Sequence, residues 1–225
     1  MAFKVAWANF TFEKEVEKGL PSERFEVLPC QTQVDMKKSV SDADFLVVGR
    51  YVKASRDVIE KGRKLKLIQR AGRFWENHVD VDAATRAGIP VAVMPEVSTM
   101  SVAEHAITLM LALSKQLLEA HRSVISGEYE KLGLKPEPTL ERIIPRWNWA
   151  NMSPQVLYGK TLSIIGMGEI GFTVAERAKS FGMQILYHDV YRLPLRYEQE
   201  VGATLVPLET ALKEADYVTL HAPHS

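Results

Sequence analysis

The sequence predicts an α/β chain made of two successive parallel-sheet units. Three observations lead there. Short β-rich apolar runs alternate with polar, helix-like stretches from the first residues; a long helical segment followed by a proline-broken stretch interrupts that rhythm after residue 98; and from residue 160 the rhythm resumes. Strand and helix alternating in this way is the pattern of βα units around a mostly parallel sheet. The first unit is expected over 1–98 and the second over 99–225.

In the first unit the strands are FKVAWA, FEVLPC, DFLVVG, LKLIQRAG and IPVAVMP, and stretches such as SRDVIEKGRKL and VDAATRAG supply helices between them. A near-continuous apolar run such as FLVVG fits a strand covered on both faces. From 98 to 126, Ser101 and Glu104 have the spacing of a capping box, and apolar residues then recur at helical intervals for about six turns. Pro136, Pro138, Pro145 and Pro154 break regular structure over 127–159, where Trp147 and Trp149 stand two apart. Such a stretch is either an interface arm or a loop pinned to its own unit.

Composition narrows the partners. Lys+Arg and Asp+Glu both number 28, so no net field draws the chain to nucleic acid or an anionic membrane. Cys30 is the single cysteine, which excludes an internal disulfide and a thiolate metal cluster and suits a reducing cytoplasm. The N-terminus reaches acidic residues before any apolar run of signal-peptide length, and AITLMLAL is too short to cross a bilayer. A soluble cytoplasmic protein is expected.

The densest chemical signal is TLSIIGMGEIGFTVAERAKSFGMQILYHD. A strand runs into Gly166, Gly168 and Gly171, a helix is expected to open on the third glycine, and a second strand ends on Asp189. Gly166 permits the tight turn, Gly168 lets a pyrophosphate approach the backbone, and Gly171 lets helix pack on strand. The helix N-terminus offers N–H groups and a positive dipole end to phosphates. Asp189 can accept from a ribose diol and repels a 2′-phosphate, which favours NAD; Arg192, three residues on, pairs with that phosphate if the loop folds back, which keeps NADP open.

RAGRFWENHVDVDAATRAGIPVAVMPEVSTMSVAEHAITLMLALSKQL, GKTLSIIGMGEIG and ADYVTLHAP together resemble the D-isomer-specific 2-hydroxyacid dehydrogenase family. The resemblance runs from about residue 44 to the last residue. It implies two Rossmann-like domains: an N-terminal, flavodoxin-like substrate domain and an NAD-binding doubly wound domain, the latter incomplete here. It also implies an oxidoreductase transferring hydride between NAD(H) and a small 2-hydroxy or 2-oxo acid. On the same basis, backbone amides of Gly72, Arg73 and Phe74 hold the substrate carboxylate, Glu169 and Ile170 join the glycines over the pyrophosphate, and the turn His221, Ala222, Pro223 borders the adenine side. A homodimer through 101–159 is implied as well. Phe74 departs from the family's second loop glycine and Trp75 follows it, with one extra residue before Asp80. These side chains either reshape the substrate pocket or point into their own core, so no single substrate is named.

The family's catalytic Arg, Glu and His lie beyond the histidine-proline turn, so this chain alone is expected to be inactive and to be C-terminally truncated. His224 does not replace them, and His221 with His224 is too few ligands for a closed metal site. A strand count makes the same expectation: residues 160–222 read as strands 1, 2 and 3 of the order 3-2-1-4-5-6, with TLSIIG left as a bare apolar edge and roughly a hundred residues absent. Two other readings stand beside this one, a non-catalytic NAD(H)-binding sensor of corepressor type and an unrelated Rossmann enzyme such as an amino-acid dehydrogenase.

Overall fold

The computed structural model describes residues 2–8, 21, 23–95, 97–127, 131 and 153–222. Two compact units, Met1–Val97 and Ser98–Ser225, make up the chain. Most of the 127–159 stretch, including Trp147 and Trp149, lies outside the described residues, as do Pro223 and His224.

In the first unit β1 (Phe3–Ala8), β2 (Phe25–Pro29), β3 (Phe45–Val48), β4 (Leu67–Ala71) and β5 (Val91–Met94) form one parallel sheet in the order β2-β1-β3-β4-β5. This is the flavodoxin-like order. Helices α1 (Gln33–Ser39), α2 (Arg56–Lys61) and α3 (Val81–Arg86) are threaded between the strands. Local chemistry starts two of them. Thr32 and Asp35 cap α1 reciprocally, and the Asp80 carboxylate accepts the Ala83 N–H at the head of α3.

Alternation along the strands divides the core. Ala6, Ala8, Leu46, Val48 and Ile68 pack with Met36, Val58, Ile59 and Ala83 from the helices. Val5, Val47 and Ala71 face the other way with Trp7, Phe25 and Phe45. Both faces of the central strands are therefore withdrawn from water, which is why FLVVG carries no polar residue.

The second unit opens with α4 (Val97–Ser114) and α5 (Leu117–Ile125). Two expectations are corrected here. Helix α4 begins at Val97, so Ser101 lies inside it and not at its N-cap, and the buried positions Thr99, Ala103, Ile107, Met110 and Ser114 recur at helical spacing from its first turn. Nor do the helical turns form one rod. Gln116 adopts the left-handed conformation at φ 50° and splits them, because the Ser114 carbonyl accepts the Gln155 N–H at 2.7 Å and the Gln116 side chain accepts the Ser153 N–H at 2.9 Å. At 18 residues and mean hydropathy 1.3, α4 is long and apolar enough to cross a membrane by length and composition alone, which the shorter run AITLMLAL had not indicated.

The sheet of this unit contains β6 (Thr161–Ile165), β7 (Gln184–His188), β8 (Ala203–Leu205) and β9 (Tyr217–Leu220), all parallel, in the order β8-β7-β6-β9. Helices α6 (Glu169–Ser180), α7 (Leu195–Val201) and α8 (Leu208–Glu214) connect them. The expected three strands are four, because the short run Ala203–Leu205 pairs with β7 and makes β9 the fourth strand of the half. TLSII is consequently central and not an edge: it pairs with β7 on one side and β9 on the other. The outer position belongs to β9, whose Val218 and Leu220 are exposed.

Candidate functional site

The order β8-β7-β6-β9 places a topological switch at β6, since the chain leaves it toward β7 on one side and later returns to its other side at β9. In open α/β sheets the crevice outside the carboxyl ends of the strands at such a point is where ligands bind. Here it is bounded by the 166–168 loop, the end of β7 and the end of β9.

Three glycines shape this loop for different reasons. Gly166 has φ 92°, and a Cβ on it would lie 2.5 Å from the Ala222 nitrogen, so the end of β9 leaves no room for a side chain. At Gly171 a Cβ would lie 2.2 Å from the Gly166 carbonyl oxygen, which is the close helix-on-strand contact expected of it. Gly168 is exposed, and a Cβ there would meet nothing within 4 Å. Among the described residues nothing requires glycine at 168, which leaves the backbone there open to solvent.

Helix α6 opens at Glu169, with Gly168 as its N-cap and Gly171 in the first turn, two residues earlier than the sequence indicated. Its first intrahelical bond runs from the Phe172 N–H to the Gly168 carbonyl at 2.9 Å. The N–H groups ahead of that bond belong to the positive end of the helix dipole. Glu169 and Ile170 are half-buried beside them. An anion fits this arrangement.

The strand ends are tied to the loop by backbone donors. Gly166 N–H donates to the His188 carbonyl at 2.9 Å, and His221 N–H donates to the Ile165 carbonyl at 2.7 Å. Asp189 Oδ2 accepts the Met167 N–H at 2.7 Å, while its Oδ1 accepts the Tyr191 N–H at 3.1 Å. An ionised carboxylate has about four acceptor positions, so this leaves it capacity for hydroxyl donors. The His221 ring meets Thr219 Oγ1 at 2.9 Å, and burial pushes its pKa below the ordinary histidine value.

Two residues the sequence did not single out hold the loop that follows. Tyr187, fully buried on β7, donates its hydroxyl to Glu198 Oε1 at 2.6 Å and accepts the Leu193 N–H at 3.1 Å. Glu198 in turn receives Arg192 through both carboxylate oxygens, each at 2.9 Å. Arg192 pulls the Glu198 carboxyl below its usual range, and burial with the Glu198 hydrogen bond pushes the Tyr187 phenol up to about 12. Their signal in sequence is faint, since six positions separate Arg192 from Glu198 across a loop and into a helix.

The first unit carries the other predicted loop. Gly72 N–H donates to the Met94 carbonyl at 2.7 Å, so that amide is committed to the end of β5. Phe74 and Trp75 are half-buried, and Trp75 lines a surface cleft of about 680 Å³ with Lys53, Arg56, Asp57, Glu76 and Asp82. Beneath the loop Arg70 is 1% exposed, its Nε donating to the Phe74 carbonyl at 3.1 Å and an Nη to the Val48 carbonyl at 3.4 Å. Among the described residues no cluster of three or more His, Cys, Asp or Glu could hold a metal.

Comparison with known proteins shows the family. The family described as D-isomer specific 2-hydroxyacid dehydrogenase, NAD binding domain, matches residues 107–225. The D-3-phosphoglycerate dehydrogenase of Methanocaldococcus jannaschii is 40% identical over 199 residues, covering 88% of this chain and 34% of that protein. The hydroxypyruvate reductase of Thermotoga maritima is 36% identical over 217 residues, covering 96% and 63%. Among solved structures, the PH0520 protein from Pyrococcus horikoshii OT3 aligns over 100% of this chain and 63% of its own, at 25% identity and a TM-score of 0.49. The chain thus spans about a third to just under two-thirds of the length of these relatives. With an open glycine cradle at a helix N-terminus, an acid at the end of the next strand and a family match over more than half its length, the chain belongs to the D-isomer specific 2-hydroxyacid dehydrogenases and carries their NAD-binding domain.

Proposed function

We propose that this chain supplies the cofactor site and the substrate-carboxylate loop of an NAD-dependent D-2-hydroxyacid dehydrogenase. Gly166, Gly168 and Gly171 with the amides of Glu169 and Ile170 receive the pyrophosphate. Asp189 accepts from the adenosine ribose, and His221, Ala222 and Pro223 flank the adenine side. In the first unit, the loop of Gly72, Arg73 and Phe74 holds the substrate carboxylate. The observation that carries this reading is the contrast among the glycines, with 166 and 171 closed by the protein's own backbone and 168 open.

When bound, the nicotinamide supplies the hydride chemistry. The chain's own residues bind and orient. Asp189 couples the two tasks, since one carboxylate holds the Met167 N–H of the phosphate loop and is positioned for the ribose. The proton donor and the cation that polarises the 2-oxo group come, on this proposal, from residues other than these 225. Exposed Val102, Leu109, Leu113, Leu117, Leu118 and Ile125 on α4 and α5 support a homodimer through 101–159. The buried thiol of Cys30 suits a cytoplasmic setting.

Titration of the chain with NADH, followed by nicotinamide fluorescence, should saturate. Addition of glyoxylate, hydroxypyruvate or pyruvate should produce no NADH oxidation. A chain that leaves NADH fluorescence unchanged at millimolar concentration refutes the cofactor site, and turnover refutes the assignment of the catalytic set to other residues.

A further inference from the structure

We propose that Glu198 is a specificity-determining positioning residue, which excludes NADP by holding Arg192 away from the ribose. The inference rests on the reading of Asp189 as the ribose acceptor and adds to it a reason why the neighbouring cation does not reverse its preference.

A 2′-phosphate brought to Asp189 meets a carboxylate, and only a cation close by would compensate. Arg192 is the candidate, three residues further along and 59% exposed at its side chain. Its guanidinium is nonetheless committed: Nε and one Nη each lie 2.9 Å from a different oxygen of Glu198. This bidentate, charge-assisted pairing is the strongest arrangement available to an arginine and a carboxylate. The Glu198 side chain is only 9% exposed and also accepts the Tyr187 hydroxyl at 2.6 Å. Moving Arg192 to a phosphate would leave a charged carboxylate withdrawn from water with one neutral donor, a costly exchange.

The backbone supports the same arrangement. Tyr191 N–H is held by Asp189 and Leu193 N–H by the Tyr187 hydroxyl, so Arg192 sits between two anchored amides. Arg196 is engaged as well, stacked over the Tyr197 ring at 4.7 Å with a hydrogen bond to its hydroxyl at 3.2 Å.

The test is the ratio of NADH to NADPH affinity, read by nicotinamide fluorescence, in the 225-residue chain. E198Q keeps the side chain's size and its bond to Tyr187 but removes the negative charge and the second acceptor oxygen that hold Arg192 bidentately, so Arg192 is freed to meet a phosphate and NADPH should bind about 10-fold tighter while NADH changes less than about twofold. R192A alone should leave both affinities near the parent's, because the arginine is already sequestered. R192A/E198Q should lose the gain seen in E198Q, which separates a released cation from a merely loosened loop. An unchanged NADPH affinity in a folded E198Q chain that still binds NADH overturns the inference and leaves the cofactor site standing; so does a gain that survives in the double variant. If neither dinucleotide binds the parent or E198Q, the cofactor site fails and the inference with it.

Discussion

Replacing each loop glycine by alanine should separate the protein's own packing from its ligand. At Gly171 the new methyl would lie 2.2 Å from the Gly166 carbonyl oxygen, a backbone atom that cannot rotate aside. Overpacking of this kind costs about 1–3 kcal/mol. At Gly166 it would lie 2.5 Å from the Ala222 nitrogen, and φ 92° adds about 1–2 kcal/mol of left-handed strain, for about 2–5 in all. At Gly168 it would meet nothing within 4 Å, with φ at −73°, so only the poorer N-cap quality of alanine remains, under about 1 kcal/mol. Each kcal/mol should move the melting temperature of a unit this size by about 3–5 °C. Binding should rank differently. On the proposed reading a methyl at 168 stands where the pyrophosphate approaches, and if the same overpacking cost falls on the complex, G168A weakens NADH by about 5- to 150-fold. Thermal melting of G166A, G168A and G171A beside NADH titration of G168A tests both halves. The reasoning is refuted if G168A melts as low as G171A, or melts like the parent and binds NADH as the parent does.

Three further outcomes follow from individual contacts. R70M should destabilise the first unit by about 2–4 kcal/mol, since the buried carbonyls of Phe74 and Val48 lose a charged donor; urea unfolding followed by circular dichroism measures it, and a loss under about 0.5 kcal/mol refutes the clamp. Tyr187, with its pKa raised from 10.0 to about 12, contributes stability that is complete below pH 10 and disappears as pH rises through 12. Y187F should flatten the alkaline decline in urea midpoint between those values. His78 and His221 are both held below the histidine value of 6.5 by burial, so stability is complete above pH 6.5 and falls as the unfolded chain takes up protons below it; a urea midpoint identical at pH 7.5 and 5.5 in the parent and in H78Q/H221Q would contradict this.

The sheet architecture was legible because its causes are local. Period-two apolar runs such as FKVAWA and the continuous FLVVG report strands directly, and the glycine spacing marks the turn from β6 to α6. What escaped has causes distant in sequence or too short to register. Ala203–Leu205 is three residues long and becomes a strand only because β7 offers it an edge, so both the strand count and the position of TLSIIG were misread. The break at Gln116 depends on amides of Ser153 and Gln155, about forty residues away, and no periodicity in α4 or α5 announces it. Glu198 was invisible as a site residue for the same reason, being brought to Arg192 by the return of a loop.

Asp189 shows how far the two kinds of information are entangled. In the sequence it is an acid at the end of a strand, read as a ribose ligand. In the structure it also fastens the phosphate loop, through Met167 N–H, and the following loop, through Tyr191 N–H, to the same strand end. With Gly166 N–H on His188 and His221 N–H on Ile165, the tips of β6, β7 and β9 are joined before any ligand arrives. Preorganisation of this kind lowers the ordering cost of binding. On the proposed reading the carboxylate is therefore a joint in the site as much as a contact, and a loss of affinity on removing it would combine both effects. Glu198 has no such double role toward Met167, which makes it the cleaner place to ask how the site selects its dinucleotide.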